Sequence, residues 1–172
     1  MANSKFYIIP DKRTVTSGMK ESGSYFLCPS NTVMTGRYHK GDENGQTQYE
    51  YATLKAVDVN GNLVSGTITV EDVKWDSSIK ESSGNGYDAP ANRVIVGRQH
   101  KGDENGQTQY ATAIIKIDGK TTTLEEGINS PSIKESSGIW FKTDENRVMT
   151  GQQYQFLYGG QYHQLHTHLP LP

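Results

Sequence analysis

The tract HKGDENGQTQY occurs twice without change, at His39–Tyr49 and at His100–Tyr110. With the arginine two residues upstream, each copy sets out the same chemical groups. The first holds Arg37, His39, Asp42, Glu43, Asn44 and Tyr49; the second holds Arg98, His100, Asp103, Glu104, Asn105 and Tyr110. These are side-chain types suited to sugar recognition. Carboxylates, amides and guanidinium groups chelate adjacent hydroxyls, and an aromatic face accepts the C–H groups of the ring. Gly41, Gly45, Gly102 and Gly106 let backbone approach a ligand closely. The competing account is a solvated hairpin tip. In it Arg37 and His39, and likewise Arg98 and His100, form cross-strand ion pairs with the tip carboxylates, worth under ~1 kcal/mol when exposed. The tracts stayed identical while the neighbouring stretches KAVDVNGNLVSG and KIDGKTTT diverged. That contrast keeps a binding role level with the plain turn.

Other chemistry is thinner. His163, His166 and His168 fall within six residues and have zinc-ligand character. No cysteine or acidic residue lies nearby to complete a shell, so an ordinary polar strand is favoured and no metal is assigned. The acidic tips offer oxygen ligands, but their spacing is not that of a calcium loop. Hydrolase, nucleotide-binding and metalloprotease motifs are absent, and two copies of one acidic catalytic pair on a small repeat domain would be unusual. The chain therefore reads as a non-enzyme without a cofactor. Cys28 stands beside Pro29, and its counterparts are Ala89 and Thr143, which suits a small buried filler better than a nucleophile. Trp75, Trp140 and Tyr158 are candidate stacking platforms.

The elements that position these groups follow from a repeat. Lys20-Glu21-Ser22, Lys80-Glu81-Ser82 and Lys134-Glu135-Ser136 open three units. Asn31-x-Val33-Met34-x-Gly36, Asn92-x-Val94-Ile95-x-Gly97 and Asn146-x-Val148-Met149-x-Gly151 follow. An aromatic precedes each Asn by five residues: Phe26, Tyr87 and Phe141, which read as core. Units of about 20–79, 80–133 and 134–172 result, the last completed by 1–19. The Lys-Glu-Ser openings recur even where the charged tip is missing, which marks them as structural.

Glycine-rich turns and period-two alternation without a helical period predict an all-β chain. Arg93–His100 and Thr108–Ile117 form a hairpin about Asp103–Gly106. Ala111, Ala113, Ile115 and Ile117 face the core, with Tyr110, Thr112 and Lys116 outward. Unit one matches it with Ala52, Leu54 and Ala56 inward and Lys55 outward. About twelve strands follow, in one domain closed by its N- and C-terminal segments. The expected architecture is a pseudo-threefold β-prism in preference to a β-trefoil.

The run Cys28-Pro29-x-Asn31-x-Val33-x-x-Gly36, then Gly41-Asp42-Glu43 and an alternating strand, resembles the repeat of the vitelline membrane outer layer proteins. That resemblance implies three repeats folded as a β-prism with sugar-handling associations.

The 172 residues carry a formal net charge of −2, which argues against nucleic acid as the partner. No apolar run approaches the ~20 residues of a membrane span, and no secretory leader is visible at the N-terminus. The lone Cys28 rules out an intrachain disulfide. The leading expectation is a lectin-like module with one site at each duplicated hairpin. The alternative is a protein-interaction, structural or toxin-targeting module, in which the tips bind a protein or join copies of the chain into an oligomer.

Overall fold

A computed structural model describes residues 5–80, 86–103, 105–130, 133–134, 137–157 and 160–171. Among these the chain is all-β, with sixteen strands and no helix.

Three hairpins organise the strands. The first joins β4 (Val33–Lys40) to β5 (Gln46–Asp58), the second β9 (Val94–Lys101) to β10 (Gln107–Ile117), and the third β15 (Val148–Leu157) to β16 (Gly160–Leu171). Each second strand is flanked by a broken strand from upstream. β1 (Phe6–Val15) and β2 (Met19–Lys20) pair with β5. β6 (Ile68–Trp75) and β7 (Ile79–Lys80) pair with β10, which also takes β11 (Lys120–Thr121). β12 (Thr123–Asn129) and β13 (Ile133–Lys134) pair with β16.

Each first strand takes a short strand from a different hairpin's neighbourhood. β3 (Tyr25–Leu27) pairs with β9, β8 (Tyr87–Asp88) with β15, and β14 (Phe141–Lys142) with β4. Three sheets result, linked in a ring. These three short strands, with β11, explain why the count exceeds the expected twelve. The ring closes through β14. The N-terminal β1 lies against β16, yet its hydrogen bonds go to β5, so it completes the first sheet and not the third. Its Ile8 and Ile9 sit opposite Ala56 and Lys55, and Ile8 enters the core.

The recurring Asn-x-Val-(Met/Ile)-x-Gly motif has a mechanical meaning. Val33, Val94 and Val148 enter one buried cluster, and the next residues, Met34, Ile95 and Met149, enter a second. Adjacent strand residues normally face opposite ways. Both can be buried because each hairpin is covered on both sides here. A register shift follows between Met34 and Gly36, and again between Met149 and Gly151. The glycine then lets the short strand approach. A Cβ on Gly36 would stand 2.6 Å from the Phe141 carbonyl oxygen, and one on Gly97 2.9 Å from that of Phe26.

Beyond the shift the inward face changes parity. Ala111, Ala113, Ile115 and Ile117 face the first cluster as expected, and so does Ala56, with Leu54 packed against it; Ala52 is buried as well. Tyr110 and Thr112 were expected outward and are buried instead. Tyr110 lies in the tip half, past the shift, and stacks on Tyr87 with centroids 4.5 Å apart. Tyr49 stacks on Phe26 in the same way at 5.0 Å.

Candidate functional site

The groups of each duplicated tract part into two sets. Arg37 and His39, like Arg98 and His100, share strand parity, as their spacing requires. Their side chains turn inward, away from the tip carboxylates. The burial that takes Tyr49 and Tyr110 into the second cluster takes them too.

Their anion is Glu21, which is 3% exposed. Its Oε1 accepts from Arg37 Nη2 at 3.0 Å and from Arg98 Nη1 at 2.8 Å, and Arg98 Nη1 also donates to the Tyr49 hydroxyl at 3.0 Å. His39 Nδ1 lies 3.8 Å from the other Glu21 oxygen. One carboxylate thus joins arginines of two sheets. Glu21 belongs to the first Lys-Glu-Ser opening, which there places a buried charge. Sequence reasoning marked the motif as structural and missed the charge. Its recurrence in all three units was the available signal. Glu81, Glu135 and Glu104 lie outside the described residues.

The tips are built by the tract itself. Gly41 and Gly102 take φ values of 92° and 94°, in the left-handed region where a side chain is strained. Asp42 Oδ1 accepts the Asn44 N–H at 2.9 Å, and Asp103 Oδ1 accepts that of Asn105 at 2.8 Å. Gly45 N–H closes the turn on Asp42 O, and Gly106 N–H on Asp103 O, each at 2.8 Å. His39 Nε2 lies 3.0 Å from Gly41 O, and His100 Nε2 3.1 Å from Gly102 O. A carbonyl only accepts, so Nε2 carries the proton in both. Asp42, Asn44, Asp103 and Asn105 stay exposed and Glu43 is half-buried.

Both tips occupy one end of the molecule. Segment Glu21–Ser24 lies between them: Glu21 N–H donates to Gly45 O, Ser22 N–H to Glu43 O, and Gly23 N–H to His100 O. Beside each tip, on the outer face, sits a pair of aromatic rings. Tyr38 meets Trp140 with centroids 5.4 Å apart, and Tyr25 meets Trp75 at 5.5 Å, both pairs tilted. Lys142 Nζ stands 5.0 Å over the Trp140 ring. Tyr25 is 56% exposed. Amides adjoin the rings. Gln99 donates to Gln109 at 2.6 Å in the second sheet, and Gln48 donates to Thr16 O at 2.9 Å in the first. The tryptophans were named from sequence; Tyr25 and Tyr38 were not. The signal for Tyr38 was its place between the inward Arg37 and His39. Tyr158 lies outside the described residues.

The segment that follows Trp140 is held by a clasp. Arg13 of β1 donates to Glu50 Oε1 at 3.0 Å, to Thr143 O at 3.0 Å and to Asp144 O at 2.8 Å. Lys142 reaches Glu50 Oε2 at 3.1 Å, and Thr35 donates to Oε1 at 2.9 Å. Burial alone would raise the Glu50 pKa, but Arg13, Lys142 and Thr35 outweigh it, and the carboxyl is held below its ordinary value. A depressed folded-state pKa gives stability that is present above the unfolded value of about 4.3 and lost as pH falls through the folded one. Glu50→Gln is expected to flatten the acid limb of a plot of urea midpoint against pH. An unchanged limb would place the acid sensitivity elsewhere.

Burial pushes the Cys28 thiol up to about 12, with Thr32 and backbone hydrogen bonding opposing it, so the group is a thiol at neutral pH. That suits the expected filler. Tyr87 is raised by burial and then by Asp76, to which its hydroxyl donates. Among the described residues no group of three or more His, Cys, Asp or Glu is placed to hold a metal. The backbones of His163, His166 and His168 belong to β16, and their side chains lie outside the described ones. No helix is long and apolar enough to cross a membrane, among the described residues.

No family model and no solved structure matches the chain. It is similar to immunodominant staphylococcal antigen B of Staphylococcus aureus. The copies in strains USA300 and COL are both 30% identical over 110 residues, which is 63% of this chain. The chain spans 61% of the length of these relatives.

Proposed function

We propose that the chain is a non-catalytic carbohydrate-binding module, a three-sheet β-prism of pseudo-threefold design that contacts glycans at its tip end. The three-hairpin ring, in which every sheet borrows a short strand, supports the prism. The observation that carries the function is the pairing of each exposed polar tip with an outward aromatic pair. Tip one has Asp42, Glu43 and Asn44 with Tyr38 and Trp140; tip two has Asp103 and Asn105 with Tyr25 and Trp75. Tyr38, and Gln99 opposite Tyr25, each lie two residues, about 7 Å, before the end of the strand that leads into the tip, and four residues before the tip aspartate. Aromatic faces take the C–H side of a pyranose, and carboxylates and amides take its hydroxyls. Each site alone is weak; two on one rigid end gain avidity for a multivalent surface. The S. aureus relatives are described as immunodominant antigens, which accords with a domain whose outer surface meets other molecules.

A glycan array followed by calorimetry tests this. Trp75→Ala with Trp140→Ala, or Asp42→Ala with Asp103→Ala, is expected to weaken binding of the best glycan by about tenfold or more, 1.4 kcal/mol. An empty array, or variants that bind like the parent, would end the proposal.

A second reading, docking of a protein, is favoured by Leu27 and Val73. Both are exposed and flank a cleft floored by apolar groups that include Val70 and Val96. Capture of a protein that free sugar does not displace would support it.

A further inference from the structure

A three-residue cap recurs before each hairpin with one departure. Thr32 N–H donates to Pro29 O, Arg93 N–H to Pro90 O and Arg147 N–H to Asp144 O, each at 3.1 Å. Within the first two turns Asn31 and Asn92 have φ values of 59° and 62°. Their amide oxygens accept backbone N–H groups of the neighbouring strand: Asn31 from Val70 and Asn92 from Leu124, each at 3.0 Å. The third turn carries Asn146, which is not in the left-handed region.

The reason lies across the sheet. Val70 pairs with Ile115, and Leu124 with Pro170; the residue that pairs with Leu54, the counterpart of Ile115 in unit one, is Pro10. Proline has no N–H to give. The Asn146 amide therefore loses the partner that its two counterparts hold. It borders a cleft of about 460 Å³ instead, together with Tyr7, Lys55, Val57, Val59 and Glu145. That volume falls within the range of small-ligand sites. The cleft lies at the far end of β5 from its tip, about 30 Å away along the strand.

Its lining has two characters. Lys55, Glu145 and Asn146 offer a cation, a carboxylate and an amide, and Lys55 already meets Asp11 at 3.5 Å. Val57 and Val59 offer methyl groups, and Val59 is 64% exposed; Tyr7 adds a ring beneath the Lys5 ammonium. A ligand that matches all of these carries hydroxyls, an amide and a small apolar group on one compact ring. We infer that this cleft is a second, separate carbohydrate site, one that takes an acetamido-hexopyranose. Asn146 meets the acetamido N–H and carbonyl, the valines take its methyl, and Glu145 with Lys55 takes the ring hydroxyls. The assignment uses no residue of the tip end and does not rest on the tips binding glycan.

The test is an amide-resolved NMR titration of the full chain with N-acetylglucosamine, and with glucose as the comparison. N-acetylglucosamine is expected to shift the amides of Tyr7, Val59 and Asn146. Glucose should need about tenfold more to do so. Asn146→Ala and Val59→Ser change exposed side chains and leave the fold intact; each is expected to raise the apparent Kd at least severalfold. Asp42→Ala with Asp103→Ala should leave this titration unchanged, so failure here and failure at the tips are read apart. Silent cleft amides, equal response to the two sugars, or parental affinity in both cleft variants would overturn the assignment.

Discussion

Replacing Glu21 by glutamine is expected to cost about 3–5 kcal/mol of folding stability, the usual loss when one member of a buried ion pair is removed. Glu21 holds Arg37 and Arg98 within 3.0 Å, and all three are buried. Glutamine keeps the shape and a carbonyl oxygen, yet leaves the guanidinium charges without the anion that neutralises them. Urea unfolding followed by tryptophan fluorescence measures the loss. Asp42→Ala removes one exposed turn hydrogen bond and should cost less, about 0.5–1.5 kcal/mol. Parental stability in the Glu21→Gln chain would mean that the arginines are held by other groups. A loss as large from Asp42→Ala would mean that the tips, and not this centre, hold the sheets together.

Gly45→Ala and Gly106→Ala are expected to cost about 1–3 kcal/mol each, the range for forcing an extra carbon into filled space. A Cβ at Gly45 would stand 1.9 Å from the Lys40 carbonyl oxygen, and one at Gly106 2.0 Å from that of Lys101. Backbone cannot give way as a long side chain can, so the turn itself must open. The two tips belong to different hairpins, so the double variant should lose close to the sum. Thermal or urea unfolding of the single and double variants gives the answer. Parental midpoints would show that the turn relaxes at little cost.

The second expectation bears on why the two tracts are identical. His39, Gly41, Asp42, Gly45, Thr47 and Tyr49 each have a task in the fold. His39 faces the Gly41 carbonyl, Asp42 caps the turn, Thr47 donates to Tyr38 O, and Tyr49 is buried. Their counterparts in the second tract repeat these tasks where described. Identity at those positions follows from folding alone. Lys40, Asn44 and Gln46, with Lys101, Asn105 and Gln107, are exposed, and the case for a ligand at the tips rests on them, on the exposed carboxylates of Asp42 and Asp103, on Glu43 and on the rings alongside.

Much of the architecture was legible. Alternation in Ala111–Ile117 gave the core face of β10, and the Asp-Glu-Asn-Gly stretch gave the turn. The tip half was not legible. A register shift by one residue turns every later side chain over, and nothing in the letters Thr35 or Val96 announces it. For that reason Tyr110 looked outward on parity and lies inward, and Arg37 and His39, expected beside the tip carboxylates, are buried. Glu21 was hidden for a different reason. Its partners stand 16 and 77 residues away and meet it only when two sheets come together. The cleft at Asn146 was equally closed to inspection. The loss of a hydrogen bond there begins with Pro10, whose relation to Asn146 exists only across the paired strands.

The borrowing of short strands around the ring also limits how this domain can change over evolutionary time. A unit that lends its strand forward and receives one from behind depends on both of its neighbours. Gain or loss of one module would strand a lender and orphan a borrower at the same stroke. Divergence inside a unit carries no such penalty, and the third hairpin, which lacks the charged tract of the other two, has changed in that way.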